Sequence, residues 1–585
     1  MAVRRGVAVV VVLIVLACLV SLSGLALIYL TFTREPTVPS RSTLVMRLSG
    51  DLAEGGPEDG FPWPGTRRPT VRGIVENLRK AQRDSRITGV LLIPSGLQAS
   101  YWGKLQEIRD ALIAFRTSGK PATAYLEYGG DREYFLATGC DRIYLVPSSP
   151  LDVSGLAMYE LFLRGTLDKI GVYPDMYRIG DYKTAWNELT QKGFTPAHRE
   201  MDESLNADMY DQFVRAVADA RKKSPEQVRA IVDQGPFLPE DALRAGLIDD
   251  VAYEDQVDDK LKAEGRSPRK IDLDDYSRVS PASVGVGTGP RIAVLYVTGM
   301  IASGRSGYDP MSGNVVGSET LVESIRRIRE DSSLRAIVVR IDSPGGSAVA
   351  SDVIWRELVV TRDRRSSVPM VVSMSDLAAS GGYYVAAAAP TIVAEPGTLT
   401  GSIGIVGGKM VINGTLGKLG VGSDSVSLGR NAEMGSPFRP FTDEQRAKYE
   451  EQLQAFYDQF VEKVAQTRHM TPERVDSLGQ GRVWTGQQAK QLGLVDALGG
   501  LDRAIALAKQ SAKIPADRDV EIVTYPPRRS LFDLFLNQFG ASSREAWLMG
   551  ALGRVPAARS LQLLAAPMTL FRAREPLALM PAVGE

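Results

Sequence analysis

A long internal repeat constrains this chain more than any other feature. Arg164-Gly165-Thr166-Leu167-Asp168-Lys169-Ile170-Gly171-Val172 matches Asn413-Gly414-Thr415-Leu416-Gly417-Lys418-Leu419-Gly420-Val421 at an offset of 249 residues. The same offset pairs Gly50 with Gly299 and Gly96 with Gly345. Further on, Tyr210-Asp211-Gln212-Phe213-Val214 matches Tyr457-Asp458-Gln459-Phe460-Val461 at an offset of 247. Gly246-Leu247-Ile248-Asp249 and Gly493-Leu494-Val495-Asp496 keep that register. The length change falls just after Lys183. A register held this far means two modules of one ancestry in tandem.

Each copy alternates helical and strand-like periodicity. In the first, helices are expected over Val71–Asp84 and Leu105–Thr117, and strands over Gly89–Ile93, Ala122–Leu126 and Arg142–Val146. In the second, Ile292–Val297 and Ala336–Ile341 read as strands and Ser318–Asp331 as a helix. This alternation predicts an α/β fold with parallel-rich sheets. The Ser-, Pro- and Gly-containing stretch 277–290 between the copies reads as a flexible linker. The expected division is 1–35, a first module over 36–276, the linker, a second module over 291–512 and an extension over 513–585.

The copies differ where chemistry could reside. Ser380-Gly381-Gly382 falls opposite Asp131-Arg132-Glu133, and Asp342-Ser343-Pro344-Gly345-Gly346 opposite Ile93-Pro94-Ser95-Gly96-Leu97. Lys183 falls opposite Ala432. Ser380 follows the apolar run Val368–Val372 and precedes the alanine-rich Val385–Ala389, so it sits at a strand-to-helix turn. A serine there can be a nucleophile beside unpaired backbone N–H groups, or simply a helix N-cap followed by turn glycines.

Composition narrows the choice of base. The chain holds two histidines, His198 and His469, and two cysteines, Cys18 and Cys140. Neither histidine neighbours a cysteine or another histidine, so no metal site is expected, and His198 reads as a surface loop residue. With histidine scarce, a lysine base becomes the alternative. Lys+Arg and Asp+Glu both number 69, which gives no support for nucleic acid as a partner. Gly404-Ile405-Val406-Gly407-Gly408-Lys409-Met410 lacks the spacing and the hydroxyl of a phosphate loop, and no cofactor is expected.

Residues 7–32 form an uncharged, almost wholly apolar run after Arg4 and Arg5. That is long enough to cross a bilayer and too long for a cleaved signal peptide, so it reads as a signal anchor in the lipid bilayer with the body outside the cytoplasm. Lipidation at Cys18 is the minor alternative. In the extension, Leu531, Phe532, Leu534, Phe535 and Phe539 lie at helical spacing after Arg528-Arg529, an amphipathic helix that could dock on the body, join subunits or lie on a membrane.

Taken together, Tyr182-Lys183, Asp342-Ser343-Pro344-Gly345-Gly346, Ala379-Ser380-Gly381-Gly382-Tyr383-Tyr384 and Thr400-Gly401-Ser402-Ile403-Gly404 resemble the signal peptide peptidase A family in its long tandem form, peptidase family S49. The resemblance covers residues 1 to about 510. It implies two ClpP/crotonase-like modules and a serine endopeptidase with a Ser/Lys dyad. Ser380 would be the nucleophile, Lys183 the general base and acid, and Ser402 would orient the lysine unless it is a turn serine. Gly381 with Gly346, or with Gly345, would form the oxyanion hole.

The dyad requires a lysine held well below its ordinary pKa by burial, with no carboxylate paired to it; Asp181, read as lying on a strand, would point away. The resemblance further implies peptide substrates, namely cleaved signal peptides, a homo-oligomer (a tetramer), and a place in the bacterial cytoplasmic membrane with the body on its outer side. Whether Lys183 acts within one chain or across two is open at this stage. Acyl-CoA chemistry on the same fold and a silent membrane scaffold are the competing readings.

Overall fold

The computed structural model describes residues 35–55, 69–98, 101–263, 269–309, 313–527 and 575–580, with isolated positions before residue 25. The apolar run 7–32 lies almost wholly outside the described residues, and the amphipathic segment 531–539 does so entirely. Among the described residues no helix is long and apolar enough to cross a membrane.

The first repeat contributes β1 (Ser42–Gly50), β2 (Ile87–Leu97), β3 (Ala122–Leu126), β4 (Arg142–Leu145), β5 (Tyr173–Ile179), β6 (Asp250–Val251) and β7 (Lys270–Asp272). All but β5 form a parallel sheet in the order β6-β4-β3-β2-β1-β7. Its central strands are buried on both faces, as a parallel sheet between helical layers requires. The helix Val71–Arg83 shows how a layer is fixed. Thr70 accepts the Gly73 N–H as an N-cap, and Val71, Ile74, Leu78 and Ala81 bury one stripe against the sheet.

The second repeat contributes β8 (Arg291–Thr298), β9 (Met300–Ala302), β10 (Gly307–Asp309), β11 (Gly313–Gly317), β12 (Leu334–Ser343), β13 (Gly345–Ser347), β14 (Met370–Ala379), β15 (Thr391–Ala394), β16 (Leu399–Gly401), β17 (Ile405–Val411), β18 (Val483–Thr485) and β19 (Ala497–Leu498). Past residue 512 come β20 (Glu521–Tyr525) and β21 (Leu577–Leu579). The second sheet runs β18-β16-β14-β12-β8-β20, with β15 also paired to β14 and β19 paired to β15. It is parallel except at β18. β1 and β8 start 249 residues apart, as do β4 and β15, so the sequence repeat is a repeat of strands.

One reading of the sequence needs revision. The stretch 277–290 is anchored rather than loose. Lys80 Nζ donates to the carbonyls of Tyr276 and Val279 at 3.0 and 2.9 Å, a 3-10 turn spans Pro281–Val284, and Val279 and Val286 are buried. The described parts of the extension contribute the strands β20 and β21.

A third sheet carries the functional consequence. Its order is β10-β11-β9-β13-β21-β17-β5, so β5 of the first repeat pairs antiparallel with β17 of the second over seven residue pairs. Arg340, fully buried on β12, reaches across to Glu54 at 2.6 Å and Glu107 at 2.5 Å. Removing one partner of such a buried pair costs about 3–5 kcal/mol, because it strands the other charge. The two repeats are thus locked to each other.

Candidate active site

β14 ends at Ala379 and the next helix starts at Gly381, so Ser380 occupies the turn between them. Its φ of 53° is rare for a residue with a Cβ. Such a conformation costs on the order of 1–3 kcal/mol and persists only where neighbours impose it. Here the Ser380 N–H donates to Gly401 O, and Ser380 O accepts from Tyr384 N, both at 2.8 Å. Ser380 stands at the N-cap position of that helix, yet its Oγ makes no cap bond.

Lys183 arrives from the other repeat. β5, held against β17, ends at Ile179, and the chain turns through Gly180-Asp181-Tyr182 before Lys183. Asp181 therefore lies in a turn, not on a strand. Lys183 Nζ lies 2.7 Å from Ser380 Oγ, 2.8 Å from Ser402 O and 2.9 Å from Ser402 Oγ, all within one chain. All three residues are fully buried. Burial holds the Lys183 pKa well below the ordinary lysine value, and among the described residues no carboxylate opposes that shift.

The glycines that admit this lysine were not legible as site residues. A Cβ on Gly481 would fall 2.3 Å from Lys183 Cβ, and one on Gly404 would fall 2.9 Å from Lys183 Cδ. Gly481 also has φ +80°, and its N–H donates to Ile403 O at 2.8 Å. In sequence Gly404 is only the last residue of the Thr400–Gly404 motif and Gly481 is an ordinary loop glycine; their approach to Lys183 is what distinguishes them.

On the other side of Ser380, Gly345 and Gly346 have φ values of 99° and 149°. A Cβ on Gly345 would lie 2.6 Å from Gly381 N, so these two glycines face each other closely. The Gly345 N–H donates to Ser343 Oγ at 3.1 Å. β21 runs antiparallel to β13 here, pairing Ala578 with Gly346. The Ala578 carbonyl oxygen rests over Gly345 and Gly381, 2.0 and 3.1 Å from where their Cβ atoms would be. Leu577 and Leu579 join an apolar cluster with Trp186, Met300 and Val406, and Met580 joins another with Met201, Leu205 and Leu399. The chain's own segment thus lies as an extended strand beside the serine.

His198 corrects a reading. It is buried on the helix Pro196–Arg221, not exposed on a loop. With Glu160 and Asp202 it is a group of three potential metal ligands among the described residues. Its Nε2 lies 3.1 Å from Glu160 and 3.5 Å from Asp202. Arg178 donates to Asn187 Oδ1, which turns the Asn187 amide N–H toward His198 Nδ1 at 3.4 Å. With Nδ1 accepting from Asn187, Nε2 is the ring nitrogen that faces the two carboxylates.

The model of peptidase family S49 matches residues 114–266 and 362–515, one match in each repeat. The chain is 38% identical to the serine protease SPPA, chloroplastic, of Arabidopsis thaliana, over 80% of this chain and 70% of that one. It is 35% identical to protease 4 of Salmonella typhi, over 80% of this chain and 76% of the relative. Protease 4 of Haemophilus influenzae is 29% identical over 83% and 82%. Both repeats match the family model, and the relatives align across most of their own length. The chain therefore belongs to peptidase family S49 and is a serine protease carrying two copies of the family's module.

Proposed function

We propose that the chain is an endopeptidase in which Ser380 is the nucleophile and Lys183 its base. The observation that carries this reading is the hydrogen-bonding balance at Lys183 Nζ. A neutral amine offers two N–H donors and one lone pair. Around Nζ stand Ser402 O and Oγ, which can take the two donors, and the Ser380 hydroxyl, which can give its proton to the lone pair. A charged ammonium would instead be buried with no counter-charge, at a cost burial does not repay.

In the reaction, Ser380 Oγ attacks the peptide carbonyl as its proton passes to Lys183 Nζ, giving a tetrahedral intermediate. Lys183 then returns that proton to the leaving amine, and the acyl-enzyme forms. Water, deprotonated by the same amine, releases the acid. Ser402 holds the lysine in line throughout. The oxyanion is received by the N–H groups of Gly381 and Gly346. Gly345 is the weaker candidate, because its N–H already has Ser343 Oγ as acceptor.

The substrate is an extended peptide added as a strand beside β13, the place β21 takes here. The apolar clusters that receive Leu577, Leu579 and Met580 fit apolar peptides, and so remnant signal peptides. The uncharged run 7–32 fits an anchor in the bacterial cytoplasmic membrane, with the body on its outer face. The division into anchor, lysine-bearing module, linker, serine-bearing module and extension belongs to the same reading.

Assembly into a homo-oligomer rests on the repeat. By the 249-residue offset, the copy of β17 is 156–162 and the copy of β5 is 422–428. Among the described residues both segments are without strand partners, and Tyr159, Leu161, Val426 and Leu428 are exposed. Likewise Gly171 packs against Gly414, while a Cβ added at their copies, Gly420 and Gly165, would meet nothing within 4 Å among the described residues. A second copy of the chain fits these surfaces with the pairing already made inside one chain. Such a contact is head-to-tail and closes into a ring where the rotation allows.

Cleavage of an unstructured apolar peptide by the full-length chain in detergent tests the catalytic reading. Ser380→Ala and Lys183→Ala should each lower kcat by at least about a thousandfold, in the range found when a dyad or triad member is removed. Turnover by either variant within about tenfold of the parent would refute the assignment.

A further inference from the structure

Lys104 lies in the first turn of the helix Gly103–Arg116, in the first repeat. A cation at that end opposes the helix dipole, so something else must hold it there. Its Nζ sits 2.8 Å from Asp342 and 3.5 Å from Asp376, both in the second repeat. Its backbone N–H donates to Asp376 Oδ1 at 2.8 Å. Gly103 makes this approach possible: a Cβ there would fall 2.9 Å from Ser375 O. The three side chains are 12%, 10% and 6% exposed. Burial alone would lower the Lys104 pKa, but Asp342, Asp376 and Glu54 together raise it, so it stays charged.

The two carboxylates occupy telling positions. Asp342 immediately precedes Ser343-Pro344-Gly345-Gly346. Asp376 stands four residues before Ser380, inside an irregularity of β14. Between the pairs Ile341–Met374 and Ser343–Ala378, β14 takes up four residues where β12 takes up two, which is two extra. A bulge of this kind re-aims a strand next to an active site. Asp342 also accepts the Leu377 N–H at 3.2 Å, tying the glycine turn to the bulge. The arrangement is particular to the tandem: the copy of Lys104 is Val353, half-exposed, and the copy of Asp342 is Ile93.

We propose that Lys104 is a positioning residue for the protease reaction. By bridging Asp342 and Asp376, it makes docking of the lysine-bearing repeat the condition under which the serine turn and the glycine turn take their working separation. The inference rests on the reading of Ser380 as nucleophile and Gly346 as oxyanion donor. Lys183 brings the base across the interface; Lys104, from a different element, aligns what the base acts upon.

Steady-state cleavage of an apolar peptide by the full-length chain tests this. Lys104→Met should lower kcat by about tenfold to a hundredfold, the scale of a displacement of order 1 Å, with KM changed by less than about threefold. Lys104→Arg, whose guanidinium can reach both carboxylates, should recover most of the loss. Asp376→Asn should show the same kcat-only defect, and adding Lys104→Met to it should cost less than the two single losses combined. Wild-type kcat in Lys104→Met, or a loss that appears in KM, overturns the proposal. If Lys104→Met does not fold, Asp376→Asn decides by the same readouts. Ser380→Ala runs alongside: should it remain active, the underlying reading fails, whereas an inactive Ser380→Ala beside fully active Lys104→Met and Asp376→Asn refutes the role of Lys104 alone.

Discussion

At the scale of single residues, the site depends on a lysine placed where it cannot easily be charged. Lys183 is fully buried, its pKa is lowered by desolvation, and its near neighbours are hydroxyls and a carbonyl. This has a measurable consequence for stability. The unfolded chain binds a proton at this lysine up to its ordinary pKa of ~10.4, whereas the folded chain releases it at lower pH. Between the lowered folded value and ~10.4 the unfolded state holds more protons, so wild-type stability from this group rises with pH. Lys183→Met lacks that contribution. The Tm difference, variant minus parent, should therefore fall as pH rises from the lowered folded value toward ~10.4. A difference independent of pH would mean that Lys183 is charged in the folded protein.

At the scale of elements, the repeat made the strands and most of the site legible from residues alone. β1, β2, β3 and β4 reappear as β8, β12, β14 and β15 because the alternating apolar runs recur at one offset. Ser380, Gly346 and Lys183 stand out because each is missing from the other copy. What could not be read was which sheet a strand enters. β5 belongs by sequence to the first repeat but pairs with β17 of the second, and nothing in its own pattern distinguishes those partners. The burial of His198 was hidden for a related reason. Its helix, Pro196–Arg221, packs between Glu160 and Asn187, and those contacts come from distant turns rather than helical spacing. Gly481 was equally silent, since its role is only to leave room for a residue nearly three hundred positions away. β21 was missed because its three residues lie beyond the repeat and gain their partners only in the folded chain.

At the scale of the whole molecule, the site is a property of the interface between repeats. The buried Arg340–Glu54 and Arg340–Glu107 pairs, the β5–β17 ladder and the Lys104 bridge all cross it. Among the described residues the copies of the ladder's two strands, 156–162 and 422–428, are unpaired, and the proposed oligomer would use them. Prolines at Val426 and Ser427 remove two adjacent N–H groups, one of which must face a partner strand whatever the register. Because both residues are exposed, the fold should survive. Light scattering should then report the mass of a single chain with an unchanged far-UV spectrum; an undiminished assembly would rule out this surface. The catalytic claim is tested most directly by mapping the adduct of a serine-directed fluorophosphonate on the full-length protein. The adduct should lie on Ser380 alone, form faster as pH rises through the lowered lysine pKa, and be lost in Lys183→Ala. An adduct on another residue, or undiminished labelling of Ser380 in Lys183→Ala, would contradict the dyad.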